Sequence, residues 1–129
     1  MTPHLPLVYI AGPITIPDPI RNTRDAISVA EHLYTSNICV PLIPHTNLLW
    51  HLVFPHDNAY WYKYDLYLLV KCDAVLRLDG ESAGADAELE VAADCNIPIF
   101  EWGNDRRDTK TRPMFLDWCD QHRQGQPLI

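Results

Sequence analysis

The chain has 129 residues, 47% of them hydrophobic and 21% charged, which is typical of one globular domain and excludes a disordered chain. Its formal net charge of −7 argues against a nucleic-acid polymer as the partner, because the phosphates would be repelled. No apolar run approaches the roughly 18 residues of a membrane span, and the N-terminal residues lack a secretion signal, so we expect a cytoplasmic protein without membrane contact.

The first part of the chain predicts a strand, a helix and a second strand. Leu7–Gly12 is a short apolar run rich in β-formers that ends at Gly-Pro. After the proline-rich loop PITIPDP, apolar residues recur at helical spacing from Arg21 to about Ser36 and define one face: Ala26, Ile27, Ala30, Leu33 and Tyr34. The run Ile38–Ile43 predicts a second strand, in which Pro41 lacks a ladder donor and indicates a bulge or the strand end.

The middle of the chain predicts a long connecting segment followed by a helix and a third strand. Residues 44–57 read PHTNLLWHLVFPHD and leave room for a helical turn. Asp57 is placed to cap a helix from Asn58 to about Cys72. The run Asp73–Leu78 then predicts the third strand.

The last part of the chain predicts two helices and a fourth strand. Ser82 is placed as the cap of a helix that reaches Cys95, and Ile97–Trp102 is the fourth strand. Pro113 opens a last helix through about Gln124. Four basic residues precede that helix, diluted by acidic neighbours, and we interpret them as a solvated loop: Arg106, Arg107, Lys110 and Arg112.

No spacing in the sequence matches a compact metal or cofactor motif. The histidines His45, His51 and His56 do not fit a site such as HExxH. The loop AGPITIP after the first strand is not G-x-G-x-x-G, and no P-loop is present. We therefore expect no metal and no cofactor. The widely spaced cysteines are interpreted as reduced, buried thiols, with a disulfide pair as the alternative: Cys39, Cys72, Cys95 and Cys119.

The order of the elements predicts an α/β fold of the flavodoxin-like or Rossmann-like kind. Alternating strands and helices give a three-layer sandwich with a parallel sheet of four to five strands and helices on both faces, in one domain over residues 1–129. Ligands of such folds lie at the carboxyl ends of the strands. The segments AGPITIP, PHTN and DGESAG follow three strands and supply the candidate ligand-binding residues: Gly12, Pro13, Ile14, His45, Gly80, Ser82 and Gly84.

One glutamate stands out in the predicted helix 82–95. Asp86, Glu90 and Asp94 line a solvated flank, whereas Glu88 falls among Ala85, Leu89, Val91, Ala92, Ala93 and Cys95. A buried carboxylate without a partner is unfavourable. Glu88 is therefore a structural acid paired with a buried partner, an edge residue that reaches solvent, or a functional group near the mouth of the sheet.

Asp65 repeats this pattern on the preceding helix. Its neighbours on the same face are apolar or aromatic: Trp61, Tyr62, Leu68, Leu69 and Cys72. Two half-buried acids suggest paired acid and nucleophile chemistry, as at a glycosidic carbon, although a purely structural role for Asp65 stays open. Trp50, Trp61 and Tyr62 either stack on a base or belong to ordinary packing.

The motifs VYIAGPI, YDLYLLVKCDAVLRLDG, ESAGADAELEVA and IPIF, in this order and spacing, resemble the nucleoside 2-deoxyribosyltransferase superfamily. More closely, the chain resembles a small bacterial and phage branch of it that is similar to nucleoside deoxyribosyltransferases and deoxynucleotide N-glycosidases. The resemblance covers most of the chain, from about Leu7 to Phe100.

The resemblance implies roles for four residues. Glu88 matches the family nucleophile, Tyr9 the tyrosine of the first strand, and Asp65 the aspartate of D-x-x-x-L-x-x-A-D. Ser82, six residues before the nucleophile, matches a serine that contacts phosphate in nucleotide-cleaving relatives. This sequence departs from the family pattern in three places. Glu90 stands where relatives have glycine, and the loop after the first strand lacks the Gly and Arg of the relatives. The segment 44–57 is an insert.

The implied activity is cleavage or transfer of the N-glycosidic bond of a (deoxy)nucleoside or its monophosphate through a covalent glycosyl-glutamate, in a homo-oligomer. A non-catalytic nucleotide-binding or sensing domain of the same fold is the alternative. A purely structural interaction module has no support in the sequence.

Overall fold

The computed structural model describes residues 4–103 and 111–124, and it confirms the predicted three-layer α/β fold. The described residues form one parallel four-stranded sheet of order β2-β1-β3-β4, with these strands: β1 (Leu7–Ala11), β2 (Val40–Leu42), β3 (Ala74–Leu78) and β4 (Ile99–Trp102). Five α-helices accompany it: α1 (Pro19–Thr35), α2 (Asn47–Val53), α3 (Asn58–Leu69), α4 (Ala83–Asp94) and α5 (Thr111–Gln124). A short 3₁₀ turn, Pro44–Thr46, leads into α2.

The sheet separates two apolar layers because alternate side chains of β1 and β3 point to opposite faces. One layer contains Val8 and Ile10 and is covered by α1 and α5 through Leu33 and Phe115. The other layer is covered by α3 and α4 and contains these buried residues: Tyr9, Ala11, Leu69, Cys72, Val75, Ala85 and Ala92. The two faces of the sheet therefore carry different sets of candidate functional residues.

Helix α1 begins earlier than the sequence pattern indicated. The Asp18 carboxylate accepts hydrogen bonds from the backbone N–H groups of Ile20 and Arg21, which makes Asp18 the N-cap, and Pro19 fits the first helical position. Ala26, Ala30 and Leu33 are buried as expected. The prediction was wrong for two members of that face, since Ile27 is 44% and Tyr34 is 58% exposed.

Strand β2 is a short edge strand that contains Pro41 without a bulge. It pairs with β1 in continuous register, Leu7 with Val40, Val8 with Pro41 and Tyr9 with Leu42. The N–H of Val40 donates to Pro6 on the β1 side, at 2.8 Å. Because successive backbone N–H groups point to opposite sides of a strand, the nitrogen of Pro41 faces the outer edge, where no ladder bond is lost.

Other boundaries differ from the expectations by one to three residues, as is usual where helix ends fray. Asp57 and Ser82 are the N-caps of α3 and α4, as predicted. Residues 47–53 form a complete short helix and not only a turn. The prediction of buried cysteines fails for Cys95, which is exposed, while Cys39, Cys72 and Cys119 are buried, and all four are free thiols.

Within the two described ranges, no helix has the length and apolar character that crossing a membrane requires. Of the basic residues near the C-terminus, Arg106, Arg107 and Lys110 lie outside the described residues. Arg112 places its guanidinium 4.4 Å from the ring centroid of Trp102 and donates to the carbonyl of Gly103.

The topology creates one natural crevice. After β1 the chain passes to α1 on one face, and after β3 it passes to α4 on the opposite face, although β1 and β3 are neighbours. Loops that diverge in this way from adjacent parallel strands open a cleft at the carboxyl edge of a sheet, where ligands of α/β proteins bind.

Candidate active site

Glu88 lies on the buried side of α4, where the sequence pattern placed it. Its side chain is 7% exposed and accepts a hydrogen bond from the hydroxyl of Tyr9, which is fully buried in β1. Burial raises the pKa of Glu88 to about 7, against the opposing effect of the Tyr9 hydrogen bond. The carboxyl group is therefore poised to change its charge near neutral pH.

Asp65 is the second buried acid on this face, at 5% exposure. Its Oδ1 accepts a hydrogen bond of 2.8 Å from Nδ2 of Asn47, at the start of α2. Burial raises the pKa of Asp65 to about 7, and donation by Asn47 opposes the increase. Asn47 was not predicted, because its only sequence signal is its position after the second strand.

Tyr9, Glu88 and Asp65 form one electrostatic group. Burial, followed by the negative charges of Glu88 and Asp65, raises the pKa of Tyr9 well above its usual range. The phenol therefore stays protonated and serves as a donor. Asp65 also raises the pKa of Glu88 through its charge. The structure thus brings together the three residues that the sequence nominated as catalytic; their roles remain predictions.

Arg77 supplies a nearby positive charge that sequence analysis missed. It occupies the penultimate position of β3, and its charge lowers the pKa of Glu88 against the effect of burial. Its guanidinium donates to the carbonyls of Leu78 and Gly80 and to Asp86, the last at 3.2 Å. Arg77 therefore holds the loop after β3 in place; its position in an otherwise apolar strand, AVLRL, was the available signal.

Two of the predicted ligand-contacting glycines have packing reasons of their own. A Cβ atom at Gly12 would lie 3.1 Å from Cβ of Leu78, and one at Gly80 would lie 2.7 Å from Cγ of Pro13. Gly80 also has a φ of +113°, which other residues rarely adopt. These glycines let the loops after β1 and β3 meet at the crevice. Ile14 follows in the first loop, and its carbonyl accepts a hydrogen bond from Asn22.

Ser82 and Gly84 stand at the start of α4. The hydroxyl oxygen of Ser82 accepts a hydrogen bond of 3.1 Å from the N–H of Ala85, so Ser82 acts as the helix cap. Its own proton is still able to donate to a ligand. A Cβ atom at Gly84 would meet only the Ser82 hydroxyl, at 4.0 Å, so packing does not explain this glycine.

His45 connects the loop after β2 to the loop after β1. It is 1% exposed, and its Nε2 donates a hydrogen bond of 3.0 Å to the carbonyl of Pro13. Burial lowers the pKa of His45 to about 4, so the ring is neutral at physiological pH. His45 and Pro13 also line a pocket of about 340 Å³ on the α1 face, together with Asn22, Asp25, Ser28, Val29, Leu78 and Asp79.

A second pocket, of about 270 Å³, lies on the α4 side of the crevice. Its lining is mainly polar: Arg77, Leu78, Asp79, Gly80, Asp86, Leu89 and Glu101. The two pockets therefore lie on either side of the loop after β3. The second pocket is lined in part by Asp86 and Leu89 of α4, the helix that also carries Glu88.

Trp61 belongs to an aromatic cluster formed by α2 and α3. Its ring lies edge-on to that of Trp50 at 5.2 Å, and its Nε1 donates to Nδ1 of His51 at 2.9 Å. His56 stacks on Tyr60 with ring centroids 3.7 Å apart. Among the residues of 4–103 and 111–124, no group of three or more His, Cys, Asp or Glu side chains could hold a metal ion.

The fold and this site define an α/β protein with two interacting, buried carboxyl groups, an arrangement that suits acid–base and nucleophilic chemistry on a small molecule. Residues 6–101 match the model of a family described as "Domain of unknown function (DUF4406)". The chain therefore belongs to the DUF4406 family.

A solved structure with a similar fold is the 2-deoxyribosyltransferase from the psychrotolerant bacterium Bacillus psychrosaccharolyticus, described as a biocatalyst for the synthesis of nucleosides. The alignment has a TM-score of 0.55 and 16% sequence identity, and it covers 86% of this chain and 80% of that one. At this identity the similarity shows the shared fold. No curated protein matches the chain.

Proposed function

We propose that this protein cleaves or transfers the N-glycosidic bond of a (deoxy)nucleoside or nucleoside monophosphate through a covalent glycosyl-glutamate at Glu88. The observation that carries the proposal is the buried pair of Glu88 and Asp65, with the protonated Tyr9 hydroxyl donating to Glu88. The resemblance of the motifs to the nucleoside 2-deoxyribosyltransferase superfamily and the similar fold of a 2-deoxyribosyltransferase support it.

In the first step, an ionised Glu88 oxygen forms a bond to the anomeric carbon while the bond to the base nitrogen breaks. Asp65 in its acid form gives its proton to the departing base, which is help typically worth about 10²–10⁴-fold. Tyr9 orients the carboxylate by its hydrogen bond and keeps one oxygen free for attack. A deoxy sugar suits this chemistry, since it lacks the hydroxyl that would withdraw electrons from an oxocarbenium-like transition state.

In the second step, water or a second base attacks the anomeric carbon and releases Glu88. Asp65, now ionised, takes the proton of the attacking molecule, which restores the starting state of both carboxyl groups. Water as the attacking molecule gives a hydrolase, and a base gives a transferase. The proposed binding residues at the crevice hold the substrate: Gly12, Pro13, Ile14, His45, Trp61, Gly80, Ser82 and Gly84.

We also propose that the protein assembles as a homo-oligomer through α2 and the adjoining face of α3. Large apolar side chains there are strongly exposed: Leu49 72%, Leu52 71%, Val53 65%, Phe54 65% and Tyr67 63%. Exposed apolar surface of this density is typical of a protein interface. Sedimentation of the wild type and of Leu52→Glu tests it, and a monomeric wild type would contradict it.

The test of the glycosyl chemistry is incubation with deoxyribo- and ribonucleosides and their monophosphates, with and without an acceptor base, followed by chromatography. We expect free base or exchanged nucleoside from the wild type, and none from Glu88→Gln. Glu90→Gln is the matched control, because Glu90 lies on the same helix but is exposed. Acid quench during turnover and mass spectrometry should place the sugar on the peptide that contains Glu88.

An absence of base release from the wild type across the panel would contradict the proposal. Thermal shifts with the same compounds would then identify a non-catalytic nucleotide-binding domain. Equal activity in the wild type and in Glu88→Gln would show that another group carries the reaction.

A further inference from the structure

The segment between β2 and α3 contacts the candidate active site through polar side chains as well as through the aromatic contacts of Trp50 and His51 with Trp61. Helix α2 contains no buried residue, and most of its side chains are exposed. Two polar contacts of this segment reach the loop after β1 and the second buried acid: His45 donates to Pro13, and Asn47 donates to Asp65. Its first residues are therefore placed with respect to both the loop after β1 and the second buried acid.

The contact between Asn47 and Asp65 is well formed. The donor and acceptor are 2.8 Å apart, the two residues are 18 positions apart in the sequence, and the acceptor is 5% exposed. A carboxyl group so deeply buried has little water with which to replace this partner. The amide therefore controls one oxygen, Oδ1, and leaves Oδ2 as the oxygen able to carry a proton.

Building on the proposed glycosyl chemistry, we propose that Asn47 is a positioning residue that fixes Oδ1 of Asp65 and thereby presents Oδ2 to the departing base. Asp65 remains the group that exchanges the proton, and Asn47 acts through it. The segment 44–53 then has a defined contribution to the reaction, since it delivers Asn47 to the acid.

The contact also influences the protonation of Asp65. Burial raises the pKa of this carboxyl, and the N–H group of Asn47 lowers it by stabilising the charged form. Removal of the amide should therefore move the pKa of Asp65 upward from about 7. Replacement by a carboxylate, in Asn47→Asp, should move it further, because a like charge disfavours ionisation.

The experiment compares the wild type with Asn47→Ala, Asn47→Asp and the control Thr46→Val. Thr46 precedes Asn47, is exposed, and bonds within its own turn to the carbonyl of Ile43 at 2.8 Å. We expect Asn47→Ala to lower kcat about 10- to 100-fold, within the range that general acid catalysis supplies, with little change in KM. The alkaline limb of its pH profile should move to higher pH, and Thr46→Val should leave both unchanged.

Leaving-group dependence separates positioning from a structural role. A nucleoside whose base departs without protonation should react almost equally well with the wild type and Asn47→Ala, because it does not need the acid. An equal loss on both substrates, or an unmoved pH profile, would overturn the proposal.

Titration of the Asp65 carboxyl by ¹³C NMR gives a readout that does not depend on activity. An upward shift in Asn47→Ala supports the proposal, and an unchanged titration overturns it. Base release that is absent already in the wild type would refute the proposed function instead, while the titration would still decide whether Asn47 controls this carboxyl.

Discussion

Glu88→Gln should stabilise the protein, by an amount that grows as the pH rises above about 4 and levels off above about 7. In the folded wild type, burial raises the pKa of Glu88 to about 7, whereas the unfolded chain has the ordinary glutamate value of about 4.3. The folded state thus binds the proton more tightly, so its favourable effect is complete below about pH 4 and is lost as the pH rises through about 7. Glutamine is neutral throughout and still accepts the Tyr9 hydrogen bond.

The magnitude follows from the gap between the two pKa values. At about 1.36 kcal/mol per pKa unit, the interval from about 4.3 to about 7 corresponds to roughly 4 kcal/mol. Glu88 is 7% exposed, so solvent screens little of this cost. The free energy of unfolding of Glu88→Gln should exceed that of the wild type by about this amount at pH 8, and the difference should shrink to roughly 1 kcal/mol at pH 5 and toward zero below about pH 4.

The assay is urea unfolding at about pH 4, 5, 6, 7 and 8, with the slope m compared between variants so that a change in midpoint reports stability. Glu90→Gln on the exposed flank of α4 is the control and should show no such pH dependence. A stability difference that is independent of pH, or a Glu88→Gln variant that is less stable than wild type at pH 8, would refute the reasoning.

Four further outcomes are expected. The pH profile of kcat/KM should be bell-shaped around pH 7, because the proposed reaction needs Glu88 ionised and Asp65 protonated, and both have a pKa of about 7 in the ligand-free protein; a flat profile from pH 5 to 9 in steady-state assays would contradict it. Tyr9→Phe should lower kcat by about 10- to 100-fold, equivalent to about 1–3 kcal/mol for a lost charged hydrogen bond, and move the acidic limb upward; an unmoved limb would argue against the contact. Gly84→Ala should raise the free energy of unfolding by about 0.5–1 kcal/mol, as Ala does for Gly in a helix, yet weaken substrate binding in calorimetry; unchanged affinity would remove Gly84 from the site. Gly80→Ala should destabilise by about 1–3 kcal/mol in urea unfolding, because its φ of +113° strains any side chain; wild-type stability would contradict the described loop.

The helix caps were predictable because their chemistry is local. Asp57 and Ser82 each accept a hydrogen bond from the N–H group three residues ahead, a contact that depends only on the local sequence. The start of α1 was missed because prolines around Asp18 suggested a loop, although Pro19 at the first helical position is compatible with a helix. Helix α2 was only suggested, since its exposed apolar residues lack the one-sided pattern that marks an amphipathic helix.

The sequence predicted those residues of the candidate site whose burial follows from the helical spacing of apolar residues. Glu88 and Asp65 were singled out as acids within apolar arcs, and both are buried. Their partners Asn47 and Arg77 were not predicted. The contact of Asn47 with Asp65 and the effect of Arg77 on the pKa of Glu88 arise from tertiary packing between separate elements. Tyr9 was nominated through the family resemblance alone, and no local pattern connects it to a residue 79 positions away.

The outward-facing nitrogen of Pro41 affects how readily another chain could pair with the edge of the sheet. An exposed edge strand is a template on which another chain can extend the sheet, and its N–H groups are the donors for that pairing. On the three-residue strand β2, the proline removes the donor that would point outward at its centre. Sheet extension and amyloid-like stacking are therefore disfavoured along this edge.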